Sequence, residues 1–287
     1  MALFIESLDV YQVSPEARIV AWKYLPTNDD LSQVKVAVLR SYSPSDAFEQ
    51  VALVSNPQTY YRDAEVNLKD HWRSAYYKLS IKHGDQTIEA GPESLRGGIS
   101  NPAREIMRQL NIDLSFSGSP TLVYLRRKGK RCTACWDPVL KKATQAACLS
   151  CFATGFEGGY YQPVLTLVNF QPEVRTDQSG VTRTQPAQTS IKMAGYPEIR
   201  PGDLLFETNQ GMRWRIVSIN PSEMERTLLV QESTIALLTP SDVEHKLPIP
   251  DGLSYIITPH WTRAKRYSEV LVHDRDKDPI EKIPIWR

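Results

Sequence analysis

Two copies of one short pattern, Cys-x-x-Cys, stand in the middle of the chain with a 12-residue spacer between them and use all four of its cysteines. The two residues inside each pair allow a tight turn that points both sulfurs at one centre, and two such knuckles can close a tetrahedron around a cation. The spacer, Trp136 to Ala147, is slightly short of the usual range for this pattern yet long enough for the second knuckle to fold back on the first. Four thiolates leave no open ligand position, which is how structural zinc looks. The expectation is a structural Zn2+ held by Cys132, Cys135, Cys148 and Cys151. Rubredoxin-like iron would use the same ligands and stays open beside zinc. Paired disulfides or a redox Cys-x-x-Cys fit less well. A chain of 287 residues can bury a core without staples, and its start, MALFIESLDV, lacks the basic region of a secretory signal. Synthesis in the cytoplasm is expected.

The cysteines lie in a basic setting: Arg126, Arg127, Lys128, Lys130, Arg131, Lys141 and Lys142, against the single acid Asp137 between Arg126 and Cys151. Cations lower the pKa of nearby thiols and offset the net charge of a four-thiolate centre, so the metal alone accounts for them. A second reading is nucleic-acid contact through the basic strands and the aromatic Trp136. The rest of the chain does not extend that surface, since 34 Lys and Arg stand against 33 acids. No apolar run reaches the length of a membrane span, so no membrane partner is expected.

Turn residues break the remainder into short apolar runs, which predicts a mainly β protein. Residues 1–93 read as a β-sandwich, with strands around Val13, Ile19, Ala21 and Trp22, at Val34, Val36 and Val38, from Phe48 to Val54, from Thr59 to Asp63, from Tyr76 to Lys82, and from Gln86 to Pro92. Residues 94–125 form a linker: a glycine-rich connector, a helix from Asn101 and Pro102 to about Asn111 with Ile106 and Leu110 on its apolar side, and a strand at Leu122–Leu125. Residues 126–161 are the zinc-ribbon-like segment. Residues 162–240 make a small antiparallel β-barrel, with strands at Val164–Val168, Leu204–Phe206, Met212–Val217 and Leu228–Gln231 and a long polar excursion from Gln171 to Pro186. Residues 241–287, punctuated by prolines, form an extended arm ending in Trp286, which either docks on a neighbouring subunit or packs on its own domain. Asp274, Asp276 and Asp278 alternate, but Arg275 and Lys277 stand between them and no EF-hand glycine follows, so a solvated turn is expected there.

The amino-terminal pattern resembles a fibronectin type III domain: Trp22 before the Pro26 turn, YYKLSI at Tyr76–Ile81, and a closing strand from Gln86 to Pro92. That resemblance implies an interaction or spacer module. Farther on, IRPGDLLFE, GMRWRIVSIN and RTLLVQESTIALLTPSD are similar to the small β-barrels of tailed-bacteriophage head-to-tail joining proteins, where a PGD turn precedes one strand and a related "rWRV" strand follows. With the cysteine segment, residues 130–245 resemble structural proteins of the phage neck. The resemblance implies a virion component that forms a homo-oligomeric ring and touches neighbouring neck, portal or tail proteins, with packaged DNA a contact if basic strands line the channel. Tail and baseplate components share such barrels, and a zinc-ribbon nucleic-acid-binding protein remains the other class. The five histidines are scattered, with no HExxH spacing, and neither a P-loop nor a GxSxG elbow occurs. No residue is assigned a catalytic or organic-cofactor role, and a non-enzyme is expected.

Overall fold

β-Branched and aromatic runs separated by Pro, Asn, Asp and Gly turns give the first third of the chain seven strands. In a computed structural model these are β1 (Ile5–Ser14), β2 (Ala17–Tyr24), β3 (Lys35–Ser41), β4 (Glu49–Ser55), β5 (Tyr60–Asp63), β6 (Tyr76–His83) and β7 (Gln86–Ser94). The structure describes residues 5–14, 17–26, 31–64, 75–83, 86–95, 100–145, 147–171, 188–225 and 227–257. Most of the glycine-rich connector, the polar excursion beyond Gln171, the HDRDKD run and Trp286 lie outside them.

The seven strands form two antiparallel sheets, in the orders β1-β2-β5 and β4-β3-β6-β7. Val20, Trp22 and Tyr24 of β2 face Val36, Val38, Tyr77, Leu79 and Ile81 of the second sheet in one apolar core. A buried polar post stands at its edge: the Asp63 carboxylate accepts hydrogen bonds from Arg40 Nη1 at 2.8 Å and from Tyr77 Oη at 2.8 Å. Strand β2 is buried on both faces, because Ile19 and Ala21 point away from the sandwich into a second core. That explains why RIVAW reads as a continuous apolar run rather than a strict alternation.

Helix α1 (Asn101–Ser117) starts where expected, with Ser100 rather than Asn101 at the cap position, but runs about six residues past Asn111. Its buried side is Ala103, Met107, Leu110 and Leu114, spaced four and three apart, so Ile106 lies on the solvent side. The Leu114 turn therefore belongs to the packed face, and that packing carries the helix onward.

Six strands then close into a barrel: β8 (Ser119–Tyr124), β11 (Val164–Phe170), β12 (Gln188–Ala194), β13 (Leu204–Glu207), β14 (Arg213–Met224) and β15 (Thr227–Leu237), in the order β11-β12-β15-β14-β13-β8, with β8 pairing back to β11. The two intervening strands, β9 (Trp136–Asp137) and β10 (Lys142–Ala143), form a separate hairpin in the cysteine segment. The interior is filled by Val123, Val168, Ile191, Met193, Leu205, Trp214, Ile216 and Ile235, residues spaced by two along their strands. The strand expected to link helix and knuckles is thus a barrel stave, and Leu122–Tyr124 is apolar on both faces because both are covered. Strand β12 went unread in the sequence, although Thr189, Ile191 and Met193 alternate inward. Strand β14 runs on past Val217, the end expected for it, to Met224. Buried Gln231 fixes the loop before β13: its amide donates to Ala194 O and Pro197 O, and its carbonyl accepts from Ile199 N.

Sandwich, helix and barrel share one core. Ile19, Ala21 and Tyr60 meet Leu110 and Leu114 of the helix, Val164, Leu167, Ala194 and Tyr196 of the barrel, and Ile256 and Ile257. The described part of the carboxy-terminal arm lies along the body. A short 3-10 helix (Val243–Lys246) precedes Leu247 and Leu253, which cover Leu122, Tyr124 and Leu204. Tyr60 Oη donates to Ser254 O at 2.6 Å and accepts from Leu165 N at 3.1 Å, joining sandwich, barrel and arm at one hydroxyl. No helix among the described residues is long and apolar enough to cross a membrane.

Candidate metal centre

The cysteine segment is the connection between two neighbouring barrel strands. Chain leaving β8 and chain entering β11 continue side by side as a stalk: Tyr161 N donates to Leu125 O, Arg127 N to Gly159 O, and bridges pair Arg126 with Tyr160 and Arg131 with Phe156. At its end the first knuckle closes by Trp136 N donating to Cys132 O, and the second by Thr154 N and Thr154 Oγ1 donating to Cys151 O. Gly159 sits at φ +64, and a Cβ there would lie 2.8 Å from Cys151 O, so glycine lets the stalk pass close beneath the second knuckle.

All four cysteines are free thiols and buried, with their sulfurs within 4.8 Å of one another. Cys132 Sγ lies 4.0 Å from Cys148 Sγ and Cys135 Sγ 3.5 Å from Cys151 Sγ. A disulfide needs about 2.05 Å, whereas a tetrahedral ion about 2.3 Å from each sulfur sets the sulfurs about 3.8 Å apart. The donor set and its spacing can therefore hold a metal ion.

Electrostatics inside the cluster favour a cation. Burial resists ionisation of Cys148, but N–H groups of Cys151 and Ser150 donate to its sulfur and, with the thiols of Cys151 and Cys135, bring it down to about 7. Burial pushes Cys135 and Cys151 up, and at Cys151 a donation from Gly155 N pulls the other way. One thiolate forms readily and its neighbours resist, so four thiolates together require positive charge in their midst.

The surrounding cations divide into two groups. Arg126 Nη2 donates to Thr154 O at 2.6 Å, Arg127 binds Tyr24 O and Tyr160 O, and Arg131 is stacked between Trp136 and Phe156 at 4.1 and 4.5 Å. These three arginines fasten the segment to itself and to the sandwich. Lys130 pairs with Glu157 at 2.7 Å. Lys128, Lys141 and Lys142 are exposed. Trp136, the aromatic of the nucleic-acid reading, is half-buried under Arg131. A cleft of about 540 Å³ opens where sandwich, barrel and stalk meet, and Arg127 and Lys23 both lie over the Tyr161 ring on its wall.

The sequence singles out the four cysteines that the fold gathers but not the residues that hold their segment. Thr154, Phe156 and Glu157 serve as acceptor bridge, stacking partner and counter-ion, and nothing in FATGFEGG announces those roles. Asp203 was noted only as part of a turn. Its carboxylate is buried and accepts from Arg126 N at 2.7 Å and Arg200 N at 2.6 Å, which ties the PGD turn to the base of the stalk. Burial lifts its pKa to about 6 against the pull of those two N–H groups. No protein-family model, curated protein or solved structure matches the chain.

Proposed function

We propose that this chain is a structural protein of a tailed-phage virion, a ring-forming component of the neck or head-to-tail connector that locks adjacent rings together, with Zn2+ as a structural ion. The observation that carries the reading is the mounting of the cysteine segment. A cluster that saturates a four-coordinate ion sits on a paired stalk growing directly out of a closed, filled barrel. Such a centre has no position for a substrate, but it makes a projection without an apolar core stiff enough to bear a contact. Zinc is the ion of choice because its four-thiolate sites are closed and redox-inert. The stretches that carry the resemblance, IRPGDLLFE, GMRWRIVSIN and RTLLVQESTIALLTPSD, supply three successive staves, β13, β14 and β15, which supports reading them as one barrel of the joining-protein kind. The sandwich, whose three-plus-four sheets suit a fibronectin type III-like module, would face outward or grip the next ring.

Native mass spectrometry of the purified chain, at low and high salt, tests this. The expected spectrum is a closed oligomer with one zinc per subunit, or a zinc-bearing monomer that closes into a ring once virion partners are added. A zinc-bearing monomer that keeps nucleic acid at low salt and releases it at high salt would replace this reading with the nucleic-acid-binding one, because phosphate contacts weaken steeply with salt. The engagement of Arg126, Arg127 and Arg131 in structural bonds weighs toward the ring.

A further inference from the structure

The tip of the cysteine segment has a feature that metal binding does not need. The β9–β10 hairpin turns through Asp137, Pro138, Val139, Leu140 and Lys141, and Val139 and Leu140 are 86% and 57% exposed. The turn is held in shape. Asp137 Oδ1 accepts from Val139 N at 2.8 Å and Leu140 N at 3.1 Å, Lys142 pairs with Asp137 and Ala143 with Trp136, and Thr144 N donates to Cys135 O. Two aliphatic side chains, followed by Lys141 and Lys142, are thus presented on a fixed turn one short hairpin from the metal ligand Cys135.

On another part of the molecule, between sandwich and barrel, lies a groove of about 270 Å³. Leu8, Val10 and Leu95 come from the sandwich side and Leu228 from the barrel, and all are half-buried. The charged residues among its described lining are Asp9, Glu93 and Glu198, all acidic, and Glu198 already pairs with Arg200 at 3.1 Å. An apolar floor with an acidic rim complements an apolar tip followed by two lysines, and the cavity is large enough for two aliphatic side chains.

We infer that the Val139–Leu140 tip of one copy seats in the Leu8–Leu228 groove of the next, with Lys141 and Lys142 facing Asp9 and Glu93. Tip and groove are different surfaces, so the contact is heterologous, and repeated through a closing rotation it builds a ring. This inference rests on the ring reading and adds to it which surfaces meet. The rigid turn limits the entropy lost on docking, so one seated tip holds a pair of subunits, and ring closure strengthens the assembly further. The metal contributes by fixing the base of the tip.

The test uses the full metal-loaded chain in sedimentation velocity and native mass spectrometry. A tip variant, Val139→Asp with Leu140→Asp, and a groove variant, Asp9→Lys with Glu93→Lys, each retain metal and fold, because the substituted side chains are not in a core. Each alone is expected to weaken self-association on the order of 100-fold, the loss from exposing two seated aliphatic groups or opposing like charges. Mixed together, they give a one-to-one heterodimer that grows no further, since one intact tip and one intact groove remain. A tip variant that still closes into rings like the wild type, or a mixture that gives no heterodimer, overturns the contact and leaves the ring reading standing. A wild-type chain that remains monomeric both alone and with virion partners removes both.

Discussion

The barrel and the segment growing out of it are neighbours on the chain but are held by different forces. The barrel closes around Val123, Val168, Ile191, Leu205 and Ile235, each buried by its own strand's alternation. Residues 126–161 bury no aliphatic side chain among those described; Tyr160 at the base joins the barrel's outer core, and the cluster within the segment is the four cysteines. Burial scales with the area a segment can cover, and a loop of this size cannot cover enough, so its order must come from a few strong bonds at one centre. The contrast teaches that order in this molecule has two sources, apolar burial in the barrel and, in the segment, a four-sulfur cluster that can hold a metal ion.

The largest effect should come from removing the metal source alone. Chelation, or Cys148→Ser, is expected to cost the segment an ordering energy on the order of 10 kcal/mol, the scale of structural zinc binding, and to open residues 126–161 to protease. Far-ultraviolet circular dichroism should keep the strand signal of sandwich and barrel. A segment that stays protease-resistant without metal would break the comparison, because some other force would then hold it.

A smaller effect is expected from the apolar source. Leu167 is fully buried where barrel, helix and sandwich meet, so Leu167→Ala should cost about 2–5 kcal/mol. Because that core is shared, urea unfolding should remain a single transition that moves to lower urea, with metal content unchanged. Two separated transitions would show that sandwich and barrel are less tightly joined than their common core indicates.

The smallest effect sharpens the comparison through pH. Buried Asp203 has its pKa raised to about 6, so the folded chain holds its proton over a range where the unfolded chain has released it. Its contribution to stability is present at low pH and is lost as pH rises from about 4 to 6, a change of at most about 3 kcal/mol. The metal centre has the opposite sign, since its thiols must lose protons to bind and affinity rises with pH. The urea midpoint of unfolding should fall through that window in the wild type, and Asp203→Asn should lose that part of the fall.

Much of this was readable beforehand, for local reasons. Val36 and Val38 alternate because one face of β3 meets the sandwich core, and Trp214 and Ile216 mark a stave by the same rule, while the continuous Leu204–Leu205–Phe206 run marks a stave covered on both faces. Reading faltered where packing crosses units. Ile19 and Ala21 look like part of the sandwich alternation, yet they belong to the core shared with the barrel. The helix was cut short at Asn111 because Leu114 has a reason to be helical only when a neighbour covers it.

By itself the sequence determined the mainly β class, most of the strands and the gathering of the four cysteine sulfurs, since each depends on spacing within a few residues. Periodicity marks a face as buried, and two residues between cysteines suffice to aim both sulfurs at one centre. Only the tertiary structure decided that residues 119–124 close the barrel, that the cysteine segment is a projection from it, and that Arg126, Arg127 and Arg131 are fasteners while Lys128, Lys141 and Lys142 stay exposed. Those outcomes depend on which distant partner a strand or a charge meets, and the long-range pairing that decides it leaves no mark in local spacing.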